Sequence, residues 1–262
     1  MSRTWKILIL SLVALSCATS AFLISRASSN PALRQTQIST KRDIEPRPRN
    51  LSLQPEALRV SRVLGARFTP TARGSSIITG DLSFGTNQQL ATIVRRQTEN
   101  GESVEIVLGG RTLTWNCAEG VKGLPGTPTP TEHLLAEQLI LDSPDQFVLA
   151  QLRGASYFTV ARNVRPADAG DDYKGPLWTM IRVDEPKQNE NARPMSPWRI
   201  YYIDAQTGLP DHIEYQINGE VIRTDFVEWT EQNGEKTPSR VTWSSGGKKI
   251  MEYRATTISL NH

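Results

Sequence analysis

The chain is poor in the residues from which reactive sites are built. It has two cysteines and three histidines among 262 residues. Cys17 falls inside an N-terminal apolar run and Cys117 lies far downstream, so no intramolecular disulfide is expected between them. An oxidising compartment is therefore neither demanded nor ruled out. None of His133, His212 and His262 has a partner at metal-ligand spacing, and neither Cys-x-x-Cys nor His-Glu-x-x-His occurs. Nucleophile elbow, phosphate loop and dinucleotide fingerprint are also missing, since Gly80-Asp81-Leu82-Ser83-Phe84-Gly85 carries its serine at the wrong place. Asp168, Asp171 and Asp172 cluster, but their spacing fits no calcium loop and lacks the closing glutamate, so a solvated turn is expected. These absences point away from an enzyme: the expectation is no catalytic residue, no metal and no cofactor.

A basic face on the folded part is lacking too. Residues 31 to 73 hold nine Lys and Arg against three Asp and Glu, whereas residues 74 to 262 hold 18 against 24. Nucleic-acid binding needs the opposite distribution, so no nucleic-acid partner is expected. The basic stretch follows an apolar run, where it can rest on anionic head groups or serve as a solvated linker.

What is present begins with a targeting segment. Arg3 and Lys6 precede an uncharged run from Ile7 to Ser25, closed by Arg26. The positive start holds the N-terminus inside and sends the rest across a membrane. The run exceeds the usual signal-peptide core of about 7 to 15 residues and just reaches the ~18 needed to span. Cleavage near Ala18 or Ala21, retention as an anchor and lipidation at Cys17 all stay open. Residues 1–26 thus read as signal peptide or membrane anchor, and 27–53 as a basic flexible linker. Residues 54–262 read as one domain, a length that buries ~70% of its unfolded surface without staples.

Within that domain a first helix is expected from Pro55, with Ser52 near its start, Ala57, Leu58, Val60, Ser61, Val63 and Leu64 on its stripe, and Gly65 as its left-handed end. Strand patterns follow from Ile77 to Trp115, turning at Gly109-Gly110. Two helices come next. Thr129-Pro130-Thr131-Glu132 spells a capping box, and Ser143-Pro144-Asp145-Gln146 repeats it. Leu134, Leu135, Leu139 and Ile140 make the first apolar on one side, and Phe147, Val148 and Leu152 the second. After Gly154 everything reads as strand and turn. Asn218-Gly219 predicts a tight hairpin with Tyr215 opposite Ile222, Ile213 opposite Thr224, Glu214 opposite Arg223 and His212 opposite Asp225. Asn233-Gly234 and Gly246-Gly247 mark two more turns of the meander.

Aromatic residues crowd this meander. Trp198, Ile200 and Tyr202 share one face of their strand, with Tyr201 and Ile203 on the other. Apolar residues on both faces mean that both are covered or that one lines a cavity.

The order of elements, the paired helices TEHLLAEQLILDSPDQFVLAQL, the meander WRIYYIDAQTGLPDHIEYQINGEVIRTDFVEW and its Tyr-Ile-Asp-x-x-Thr-Gly-Leu-Pro turn resemble the periplasmic lipoprotein-carrier family (LolA-like, outer-membrane lipoprotein sorting) over residues 54 to 262. The resemblance implies an α+β, mostly antiparallel β fold: a strongly curved, half-barrel-like sheet covered by helices. It implies a cavity for acyl chains and no covalent chemistry, and it supplies no site residue. The expected function is an exported, non-enzymatic binder or carrier of lipid or another hydrophobic ligand in the bacterial envelope, periplasmic or membrane-associated through its N-terminus. The alternative is an envelope structural or interaction module with a filled cavity. Leu139, Phe147, Trp198, Tyr202, Tyr215 and Phe226 are the candidate ligand-binding, cavity-lining residues.

Overall fold

A computed structural model describes residues 55–65, 67, 74–98, 101–167, 169–170, 172–185 and 194–261. The expected targeting segment and linker, Ser52, Asp168 and Asp171 lie outside them.

Among the described residues, three helices and twelve strands follow one another as helix α1 (Pro55–Leu64), β1 (Ser75–Phe84), β2 (Asn87–Thr98), β3 (Gly101–Leu108), β4 (Arg111–Asn116), β5 (Gly120–Leu124), α2 (Pro130–Leu141), α3 (Asp145–Leu152), β6 (Ser156–Val164), β7 (Trp178–Asp184), β8 (Trp198–Asp204), β9 (Pro210–Ile217), β10 (Glu220–Gln232), β11 (Glu235–Ser245) and β12 (Lys248–Asn261). The strands form a single antiparallel sheet in the order β5-β4-β3-β2-β1-β12-β11-β10-β9-β8-β7-β6. All neighbours are consecutive except β1 and β12, which bring the two ends of the domain together at the middle of the sheet. The sheet is curved and not closed, and the helices cover its concave face, as the resemblance implies.

Turn chemistry sets the registers. Asn218 and Gly219 adopt φ of 52° and 85°, the left-handed pair that a two-residue hairpin needs. Tyr215 then faces Ile222, Ile213 faces Thr224, Glu214 faces Arg223 and His212 faces Asp225, as expected. The ionic contacts on the outer face follow the register in part: Arg223 Nη1 lies 4.0 Å from Glu214 Oε1 across the strands. Arg223 donates to Asp225 at 2.7 Å, and His212 Nδ1 meets Asp211 at 2.7 Å rather than Asp225. A neighbour along the strand is as close as one across it when side chains lean along the strand. Gly208, φ 76°, ends the turn after β8, where an added Cβ would lie 3.2 Å from Val63 and 3.3 Å from Arg59 of α1. Arg59 there donates to Ala205 O at 2.8 Å, so this glycine lets α1 close on the sheet.

The helices depart from expectation in two ways. Thr129 forms the capping box at α2, with Glu132 N to Thr129 Oγ1 at 3.2 Å and Thr129 N to Glu132 Oε2 at 2.7 Å. No second box forms: Pro144, already in helical conformation, is the N-cap of α3, and Ser143 Oγ only accepts from Asp145 N at 3.3 Å. The α2–α3 elbow is too short for the chain to leave helical geometry fully. Nor are these helices buried on one side only. Leu135 through Leu141 and Asp145 through Ala150 are continuously buried. Such segments have neighbours all round, and polar residues inside them must find partners.

Candidate functional site

The space between the helix pair and the concave face holds two kinds of contact. The apolar part joins Leu135, Leu139, Ile140 and Phe147 to Ile181, Val183, Tyr201, Ile213, Tyr215, Ile222, Phe226, Val241, Trp243, Met251 and Tyr253. The Phe147 ring meets Tyr201 edge-on at 4.9 Å and Tyr157 at 5.2 Å, geometry that aromatic quadrupoles favour.

Threaded through this core is a set of buried charges absent from the expectation. Asp142, at the C-cap of α2, is the acceptor for four strands. Its Oδ1 takes Arg199 Nε of β8 at 2.9 Å. Its Oδ2 takes the hydroxyl of Tyr215 of β9 at 2.6 Å, Thr224 Oγ1 of β10 at 3.1 Å and Trp243 Nε1 of β11 at 2.8 Å. The Arg199 guanidinium also lies 4.8 Å over the Tyr215 ring. Burial works against its charge, but Asp142, Tyr215 and Glu137 outweigh that and hold its pKa above the ordinary value. Burial and Asp142 push the Tyr215 hydroxyl well up, so it stays a donor.

A second network surrounds Glu102 of β3. It pairs with Arg95, accepts Gln146 Nε2 of α3 at 2.7 Å and meets Arg153 Nη1 at 2.8 Å. Arg153 continues to Glu185 at 3.1 Å, and Arg95 Nη2 donates to Ile140 O of α2 at 2.9 Å. A third joins Arg67 to Asp145 at 2.6 Å and Glu235 at 2.9 Å. Within these three networks each buried charge is met by an opposite one, as low-dielectric burial requires.

Four of the six candidate lining residues meet in the core: Leu139, Phe147, Tyr215 and Phe226, all at most 5% exposed. Trp198 and Tyr202 are not among its buried members, although Trp198, partly buried, packs against it. In β8 the buried positions are Arg199, Tyr201 and Ile203, so Trp198 and Tyr202 occupy the opposite, convex side. There Tyr202 stacks on His212 at 3.9 Å and meets Trp178 edge-on, while Arg182 lies over Trp198 at 5.2 Å. The aromatic of β8 that faces the helices is Tyr201. Strand alternation separates it from Tyr202, and pairing with Ile213 puts it on the buried side. The same parity was the signal for Arg199. His133 stands in the first turn of α2, as expected.

No family model matches the chain, and no curated protein matches it in sequence. Solved structures do. A DUF1329 family protein from Desulfovibrio piger superposes with a TM-score of 0.51 at 8% identity, over 79% of this chain and 90% of that one. A LolA superfamily protein from Nitrosomonas europaea gives 0.50 at 9% identity, over 79% and 94%. At such identity the likeness is one of fold: the chain has a LolA-like fold.

Proposed function

We propose that the chain is a non-enzymatic binder or carrier of a lipid or another hydrophobic ligand, working in the bacterial envelope and membrane-associated through its N-terminal segment. The ligand lies between the α2–α3 pair and the concave sheet face, against Leu139, Phe147, Tyr201, Tyr215 and Phe226. One observation carries this reading: the aromatic and aliphatic side chains of the meander converge under the helix pair, where an acyl chain finds apolar walls. The LolA-like fold supports it as an analogy of architecture, since folds do not fix activities.

Titration of the full chain with a fluorescent hydrophobic probe, N-phenylnaphthylamine, tests it. Saturable binding near one equivalent is expected, displaced by fatty acid and weakened by Leu139→Trp, which fills the space. Mass spectrometry of the purified protein identifies any lipid it carries. A folded protein that takes no probe and no lipid overturns the reading. The alternative, an interaction module with a filled interior, is favoured by the complete satisfaction of Asp142, which locks the helix elbow to four strands.

A further inference from the structure

Five acids are buried among the described residues: Glu102, Glu137, Asp142, Asp145 and Glu235. Four of them sit on arginines, Glu102 on Arg95 and Arg153, Asp142 on Arg199, and Asp145 and Glu235 on Arg67. Glu137 differs. Among the described residues, no lysine or arginine stands within ion-pair distance of its carboxyl group. Its Oε1 accepts the Met195 backbone N–H at 2.7 Å, and its Oε2 lies 4.0 Å from Nδ1 of His133, one turn back on α2. The charged groups around it are committed elsewhere. Arg199 of β8 is bound to Asp142, and Glu185 at the end of β7 is bound to Arg153. Asp142 at the C-cap of α2 and Glu185 both repel a further negative charge.

Met195 belongs to residues 194–197, which lead into β8. This segment is itself tied down on the other side: Glu185 N donates to Pro197 O at 2.9 Å, and Ser196 Oγ donates to Trp198 O at 2.8 Å. The Met195–Glu137 bond is the link from it to α2. We propose that Glu137 and residues 194–197 form a proton-operated clip between α2 and the β7–β8 pair, closed while the carboxyl keeps its proton and weakened once it ionises. The proton leaves from the carboxyl to solvent beside the half-exposed His133 ring, and the carboxylate, left without a cation, gains by moving to water.

Burial pushes the Glu137 carboxyl up to about 7, against the smaller opposing pull of Arg199 and the Met195 N–H. Burial also lowers the pKa of His133, so the imidazole brings less compensating charge as Glu137 ionises. A raised carboxyl favours the closed clip at low pH. That advantage is whole below the ordinary carboxylate value near 4.5, falls as pH rises towards 7 and is gone above it. The inference holds whether or not the interior takes a ligand.

Hydrogen exchange on the full chain tests it, read at the Met195 amide and along α2 and corrected for intrinsic rates. From pH 5.5 to 7.5 the opening equilibrium should rise on the order of tenfold. Glu137→Gln, which keeps the shape and never ionises, should show flat protection over that range. Protection that is independent of pH in the wild type, or a dependence that survives in Glu137→Gln, overturns the clip. Carbon-13 NMR of the wild-type Glu137 carboxyl is a second measurement that needs no variant. A titration near neutrality supports the proposal, and one near the ordinary carboxylate value sinks it.

Discussion

Asp142→Asn is the sharpest perturbation of the interior, because it changes one atom and tests four bonds. The amide can keep its oxygen towards Arg199, which turns its NH2 towards Tyr215, Thr224 and Trp243. The two hydroxyls can reverse and accept, but the Trp243 indole N–H only donates and is left without a partner. A buried unsatisfied donor costs about 1 to 3 kcal/mol. Arg199, wholly buried, also loses its counter-charge for a dipole. The opposite rotamer restores the three donors but aims NH2 at the guanidinium, and breaking a buried ion pair costs about 3 to 5 kcal/mol. Either way the loss is about 3 to 5 kcal/mol, a large part of the ~5 to 15 kcal/mol that holds a domain together. At this size it corresponds to a drop in Tm of roughly 10 °C. Urea unfolding followed by circular dichroism and tryptophan fluorescence reads it directly. Trp243→Phe in the same background should recover part of the loss, since it removes the stranded donor. A cost for Asp142→Asn below about 1 kcal/mol, with the fold intact, refutes the claim that this carboxylate ties the elbow to the sheet.

Two further outcomes are expected. The Glu252 carboxyl on β12 is held down at about 2 by hydrogen bonds from Lys249, Arg254 and Arg240. A depressed carboxyl adds stability above its ordinary value that disappears as pH falls through about 2. Glu252→Gln should therefore lower Tm at pH 7, less so in high salt, and change it little at pH 2. Gly219→Ala, forced to the φ of 85° seen at that turn, should lower the urea midpoint by about 1 kcal/mol of stability, whereas Asn218→Gly should change it by much less.

The hairpins and the order of elements could be read from the sequence because they are local. Asn218-Gly219 names its own turn type, and the pairing of Ile213 with Thr224 and of Glu214 with Arg223 follows from counting outwards. The Thr129 box is equally local, since donor and acceptor lie three residues apart. The second box misled because its letters were present without its geometry: Pro144 remains helical, and Ser143 is left with a single weak bond. The charged interior was not legible because its partners are distant in the chain. Arg199 and Asp142 are 57 residues apart, and Arg67 and Glu235 are 168. No spacing rule pairs them. The third of the candidate lining that the structure places elsewhere, Trp198 and Tyr202, lies on β8, where alternation assigned Tyr201 and Tyr202 to opposite faces. Only the pairing of β8 with β9 says which of those faces the helices cover.

The distribution of these ties along the helix pair bears on how a ligand would enter. Around the elbow, Asp142 holds four strands, Asp145 holds Arg67, and Gln146 holds Glu102, which Arg153 at the far end of α3 also meets. Lifting that end would strand several buried charges at once, each costing kcal/mol rather than tenths. The first turn of α2 is different. Pro130 and Thr131 are exposed, Glu132, His133 and Leu134 are half-buried, and the Arg111–Glu132 pair at 3.2 Å is partly solvated, a kind that contributes little. Between these two ends stands Glu137, whose backbone acceptor bond from Met195 is the last polar tie before the exposed turn. The helix pair is therefore stiff at its elbow and weakly held at the start of α2. Any movement that admits a ligand pivots about residues 142–146 and parts first at the Glu137–Met195 contact. An elbow that exchanges its amides faster than the first turn of α2 would contradict this order.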